Sequence, residues 1–178
     1  MQAWAVVAMV LWGAIAPGLA LAGKAHEHGV GRMDVAVESG TLTVMLETPL
    51  ENLVGFERAP RTAAEKERVE QALATLRQPA NWLVPDAAAG CTASAVEIEA
   101  PVLGLPAGAK PAAGQGGHAD LQARVSFNCA DATRAAHLEV GLFKAFKRFK
   151  RVNVQMVTPK AQSSVTLKAS SSRLALAR

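Results

Sequence analysis

From Arg32 to Glu38 apolar and polar residues alternate, with Met33, Val35 and Val37 on one side and Asp34, Ala36 and Glu38 on the other. Ser39-Gly40 breaks the alternation, and Leu42, Val44 and Leu46 resume it. This pattern predicts two strands joined by a Ser-Gly turn, a β-hairpin. The period then changes: Thr62-Ala-Ala-Glu65 is a capping box, and Val69, Ala72, Leu73 and Leu76 follow at helical spacing. A helix is expected over about 63–77, with Pro79 helping to end it. Ala95 to Ala100 reads as a short strand. The stretch from Ala100 to Gly117 holds three prolines and five glycines, so it is expected to be a flexible loop.

Alternation returns at Leu121, Ala123, Val125 and Phe127, ending at Cys129. Leu138 to Leu142, Val152 to Val157, and the set Val165, Leu167, Ala169 read as further strands, and Arg173 to Leu176 as a terminal one. The fold class expected is α+β, a single domain of mainly antiparallel strands with one main helix. The halves also resemble each other. His28 stands seven residues before Val35, and His118 seven before Val125. Each strand is followed by a second, Leu42 to Leu46 or Leu138 to Leu142. A pseudo-repeat follows, with His28 and His118 at equivalent strand entrances and the halves pairing about a pseudo-twofold axis.

Residues 1–22 carry an apolar run from Ala5 to Leu21 and end in Ala20-Leu21-Ala22, the small-x-small pattern of a signal-peptide cleavage site, although no Lys or Arg precedes the run. The run is short for a membrane span and contains Pro17, so export is expected, leaving residues 23–178 as one domain with no second transmembrane segment. In an exported chain the even pair Cys91 and Cys129 favours a disulfide over a thiolate zinc site. It would close the base of the Pro/Gly loop and stabilise the fold by roughly 4 kcal/mol. The compartment implied is oxidising, most simply a bacterial periplasm.

A net charge of +4 with half of the chain apolar argues against disorder. Export makes nucleic acid an improbable partner. The absence of tyrosine argues against a stacking platform for bases or sugars.

Two imidazoles fall within three residues at His26-Glu27-His28. In an extended segment they point to the same side and can reach one ion. If the halves meet, His118 joins them with Asp120, and three imidazoles with one carboxylate form a tetrahedral Zn2+ shell at His26, His28, His118 and Asp120. Glu27 or Asp34 can replace Asp120 as the oxygen ligand. A cut after Gly23 would instead expose Lys24-Ala25-His26 as a square-planar Cu(II) or Ni(II) site. His137 reads as a surface or capping residue. Met33, Met45 and Met156 read as core residues within alternating runs.

Phe143, Phe146 and Phe149 alternate with Lys144, Lys147, Arg148, Lys150 and Arg151. That segment could touch anionic lipid or an acidic partner as a short amphipathic helix, or bury its rings and leave the cations solvated. No Gly-x-Ser-x-Gly elbow, His-Glu-x-x-His helix, Walker loop or dinucleotide turn is present, and no catalytic role is expected.

Several stretches together resemble the ZrgA-type family of periplasmic zinc-binding proteins. They are His26-Glu-His-Gly-Val30 leading into Asp34-Val-Ala-Val37, Leu46 to Pro60 with Asn52-Leu-Val-Gly-Phe-Glu-Arg-Ala-Pro60 its most specific part, and the cysteine pair. Leu138-Glu-Val-Gly-Leu-Phe143 and Val152-Asn-Val-Gln155 complete the set. The resemblance implies zinc binding in the periplasm and a part in zinc acquisition upstream of an ABC-type importer. Family members often carry a long histidine-rich insert between the cysteines. Here that loop holds only His118, which leaves one ordered site at His26, His28 and His118 rather than a high-capacity scavenger. Asn52, Glu57 and Arg58 are expected to be structural. A non-catalytic envelope protein that uses its basic segment to hold a partner is the alternative, and a zinc hydrolase comes third.

Overall fold

In the computed structural model, which describes residues 27–106 and 119–176, the two opening runs form β1 (Val30–Val37) and β2 (Thr41–Pro49). There follow α1 (Glu51–Val54), α2 (Ala63–Leu76), β3 (Leu83–Pro85), β4 (Cys91–Glu99), β5 (Asp120–Cys129) and β6 (His137–Val140). The chain closes with α3 (Leu142–Ala145), β7 (Arg151–Val157), β8 (Gln162–Lys168) and β9 (Arg173–Ala175). The strands form a six-stranded sheet in the order β4-β5-β2-β1-β7-β8 and a three-stranded sheet in the order β3-β6-β9. All pairs are antiparallel except β1 with β7. The α+β class is therefore observed, with one main helix.

The period-two pattern explains which way the large sheet faces. Met33 and Val35 of β1, Leu42, Val44 and Leu46 of β2, Leu121, Ala123 and Val125 of β5, and Val152 and Val154 of β7 are buried on one face. Arg32, Asp34, Glu47, Gln122, Asn153 and Gln155 alternate onto the other, the arrangement of a sheet with one solvated side. Met33 and Met156 are core residues as expected. Met45 is not: lying between Val44 and Leu46, it must take the polar face, where its sulfur sits 3.5 Å from Arg124 Nη2.

The core continues through Leu73 and Leu76 of α2, Trp82, and Leu138 and Leu174 of the small sheet, so one cluster joins both sheets. Thr62 Oγ1 accepts the Glu65 N–H and the Glu65 carboxylate accepts the Thr62 N–H, completing the capping box. Trp82 Nε1 donates to the Leu76 carbonyl at 3.2 Å, satisfying a helix-end acceptor inside the core.

Three expectations need correction. The strand expected over Leu138 to Leu142 ends at Val140, because Gly141 is wedged against the Trp82 backbone and the chain turns into α3. A Cβ at Gly141 would lie 3.2 Å from Trp82 Cα, so the close approach needs glycine. The second concerns the pseudo-repeat. β1 and β5 both run antiparallel to β2, hence parallel to each other, and both bury the same face of the sheet, a combination that no twofold between them allows. Their followers also differ, since β2 pairs with β1 whereas β6 leaves for the small sheet with β3 and β9. Third, β4 begins at Cys91, earlier than Ala95, because Cys91 lies directly opposite Cys129. The expected signal segment 1–22 and residues 107–117 of the Pro/Gly loop lie outside the described residues. Among the described residues no helix is long and apolar enough to cross a membrane.

Candidate metal-binding site

His28 occupies a turn that the local sequence makes tight. The Val30 N–H donates to the Glu27 carbonyl at 3.0 Å, and Gly29 between them has φ +84°, which side-chain-bearing residues avoid. The alkyl stem of Lys150 lies on Gly29, where a Cβ would approach its Cγ and Cδ to 2.8 Å. The turn is locked from below by Asn52. Its Oδ1 accepts the Gly29 N–H at 2.6 Å, and its Nδ2 donates to the Val30 carbonyl and to Thr48 Oγ1, both at 2.9 Å. Asn52 is fully buried, so these bonds replace the water its amide would otherwise need. The expectation that Asn52 is structural is met, and the structure it serves is the seat of His28.

Glu57 meets His28 itself. His28 Nε2 lies 3.1 Å from Glu57 Oε1, with the imidazole 59% exposed and the carboxylate 13% exposed. Glu57 is held on both sides. Before it, Gly55 caps α1 at φ +86° under the Arg148 guanidinium, and Arg148 Nη1 donates to Glu51 Oε1 at 3.0 Å. After it, Arg58 donates through both Nη atoms to the Glu65 carboxylate, at 3.0 and 2.7 Å, tying the segment to the start of α2. Arg58 is thus structural as expected. Its hydrogen bonds, with those of the Arg61 and Thr62 N–H groups, lower the Glu65 pKa to about 2.

The register places the second candidate strand beside the first. Arg32 of β1 pairs with Glu47, and Glu47 pairs with Gln122 of β5, so the entrances of β1 and β5 lie at one edge with β2 between them. Val35 and Val125, each seven residues past a candidate histidine, face the same Val44. The equivalence of phase is real even though the repeat is not. Asp120 pairs with Pro49 at this edge, and the Leu50 N–H donates to the Ala119 carbonyl at 2.7 Å. A cleft of about 350 Å³ opens here, lined among others by Glu27, Arg32, Glu47, Asp120 and Asn153. Its lining sets the Glu27, Glu47 and Asp120 carboxylates beside the Arg32 guanidinium, with Glu27 paired to Arg151.

The structure thus brings His28 and Asp120 to the same edge and adds Glu57, which sequence spacing missed because it is 29 residues from His28. His26 and His118 lie outside the described residues. Among the described residues, no group of three or more His, Cys, Asp or Glu side chains could hold a metal ion. Of the alternative oxygen ligands, Glu27 stays at the entrance and accepts from Arg151 Nη2 at 2.5 Å. Asp34 does not: it lies in the next row but one, opposite Met45 and 3.5 Å from Arg32 Nε.

The other candidates fall elsewhere. Cys91 and Cys129 form the expected disulfide, as a rung between β4 and β5. His137 is half-buried in the small sheet, with Nδ1 3.2 Å from Asp86 Oδ2. The Ala88 and Ala136 N–H groups, and after them His137, hold the Asp86 carboxyl below its ordinary range. Phe143, Phe146 and Phe149 are buried, and Lys144, Lys147, Arg148 and Lys150 are exposed. The segment is a single helical turn followed by a loop, not a longer amphipathic helix.

A comparison with curated proteins finds no match. The sequence model of the ZrgA family zinc uptake protein matches residues 25–176, which takes in both strand entrances, the Asn52 seat and the disulfide. The chain belongs to the ZrgA family of zinc uptake proteins.

Proposed function

We propose that this protein binds zinc in the bacterial periplasm, without catalysing a reaction, and holds the ion at the adjoining entrances of β1 and β5 for delivery to an ABC-type importer. The observation that carries this reading is the His28–Glu57 pair on a locked turn, at the same sheet edge as Asp120. With the proton on Nε2, His28 donates to Glu57 and presents Nδ1 to a metal, the carboxylate–histidine–metal arrangement that orients the ring and raises its basicity.

His26 and His118 complete the donor set. Each stands two residues from an anchor at the edge, His28 or Asp120. Two residues of chain span at most about 7 Å. The two entrances are separated by two strand spacings, about 10 Å, so the tethers suffice to bring both imidazoles to one ion. Three imidazoles and one carboxylate suit tetrahedral zinc. The half-open position of His28 suits release to a second protein, and the signal-like residues 1–22 support export.

Calorimetric titration of chelator-treated protein with zinc tests the reading. Near-stoichiometric, submicromolar binding is expected, lost in a His26→Ala/His28→Ala/His118→Ala variant. Glu57→Gln is expected to weaken binding by about 10- to 100-fold, as for other groups that orient a metal-bound histidine. Equal binding by the triple variant and the parent would refute the site.

A further inference from the structure

We infer that the basic loop after α3, with α1 and α2, forms a docking groove for an acidic peptide segment of a partner protein. Lys144, Lys147, Arg148, Lys150 and Arg151 fall within eight residues that contain no acid, and these five cations exceed the whole chain's net charge of +4. The tertiary structure adds Arg68 of α2, which closes a groove of about 330 Å³ with Lys147 and Arg148 over a floor that includes Val54 and Phe146.

Two of these five cations are paired, Arg148 with Glu51 and Arg151 with Glu27, whereas Arg68 Nη1 donates to the Val54 carbonyl at 3.1 Å, a bond that leaves its charge uncompensated. The side chains of Lys147, in the groove lining, and of Lys144, next to Ala145 of that lining, make no hydrogen bond or ion pair among the described residues. The groove therefore presents Arg68 and Lys147 without a carboxylate partner, a field complementary to a run of carboxylates.

The same geometry disfavours a lipid surface. Membrane-surface segments insert apolar side chains among the lipids while cations meet the headgroups. Here Phe143, Phe146 and Phe149 are only 7, 6 and 5% exposed, packed edge-to-face on Phe149 with ring centroids 6.5 and 6.4 Å apart. No ring is left to insert, and the cations border a concave groove rather than a flat face. The groove also adjoins the His28 turn, since Asn52 in its lining accepts the Gly29 N–H at 2.6 Å. A partner seated in it would lie beside the strand entrances. Docking needs no metal and is tested on metal-free protein.

Fluorescence anisotropy with a labelled oligoglutamate peptide is the test. The parent protein should bind it, more weakly as salt rises. Lys144→Glu/Lys147→Glu should bind at least about tenfold more weakly and gain affinity for a labelled oligolysine peptide, while its thermal melting stays that of the parent. Both side chains are exposed and unbonded, so folding is not at stake; a Lys144→Gln/Lys147→Gln protein should show a smaller loss in the same direction. Absence of peptide binding by the parent, equal binding by the Glu variant, or binding to phosphatidylglycerol vesicles in place of the peptide would each overturn the proposal.

Discussion

At the scale of single residues, Asn52 fixes the turn that carries His28. Its amide joins the turn bearing His28 to the end of β2 through three hydrogen bonds, two of them buried and the one to the Val30 carbonyl part-buried. Asn52→Ala removes every one and strands the Gly29 N–H and the Val30 carbonyl. A loss of about 3 kcal/mol is expected from urea unfolding, since each buried group left unpaired costs about 1–3 kcal/mol. Zinc affinity should fall with it, because the turn that presents His28 is released. The sequence could flag Asn52 as a structural position only through the family-like stretch to Pro60. It could not show what Asn52 supports, because its partners at Gly29 and Val30 are 23 and 22 residues earlier. Glu57 was hidden for the same reason.

Among the elements, α2 was the most legible, because everything that defines it is local. The capping box spans four residues, the buried stripe repeats within two turns, and the observed helix ends one residue from its expected limit. The same cap makes this element sensitive to acid. The pKa of Glu65 is lowered from its ordinary 4.5 to about 2, first by Arg58 and then by the Arg61 N–H. A carboxylate whose folded pKa is depressed contributes stability above its unfolded pKa and loses it as pH falls toward the folded value. Stability should therefore drop between about pH 4.5 and 2 in the parent protein, and that part of the drop should be missing in Glu65→Gln, as followed by helical circular dichroism in denaturant titrations across the window. Elements defined by one or two turns were less legible. α1, β3 and α3 are each four residues or fewer, too short for a period to show.

For the molecule as a whole, the disulfide fastens β5, whose entrance holds Asp120, to the edge strand β4. Cys91 and Cys129 are 38 residues apart, so reduction should release about 4 kcal/mol of loop-closure restraint. A lower urea midpoint in reductant than without it is the expected result; coincident unfolding curves would show that the bridge contributes nothing. The sequence by itself determined the identity of most strands, the main helix, the core side of the hairpin and the cysteine pair. These follow from periods of two and 3.6, capping chemistry and cysteine count, all readable within short windows. Only the tertiary structure decided that β1 and β5 flank β2 in parallel, that β6 leaves for a second sheet, and that Glu57 meets His28. Strand neighbours and long-range side-chain pairs are selected by the burial of the entire core at once, a sum over distant residues that no local spacing contains.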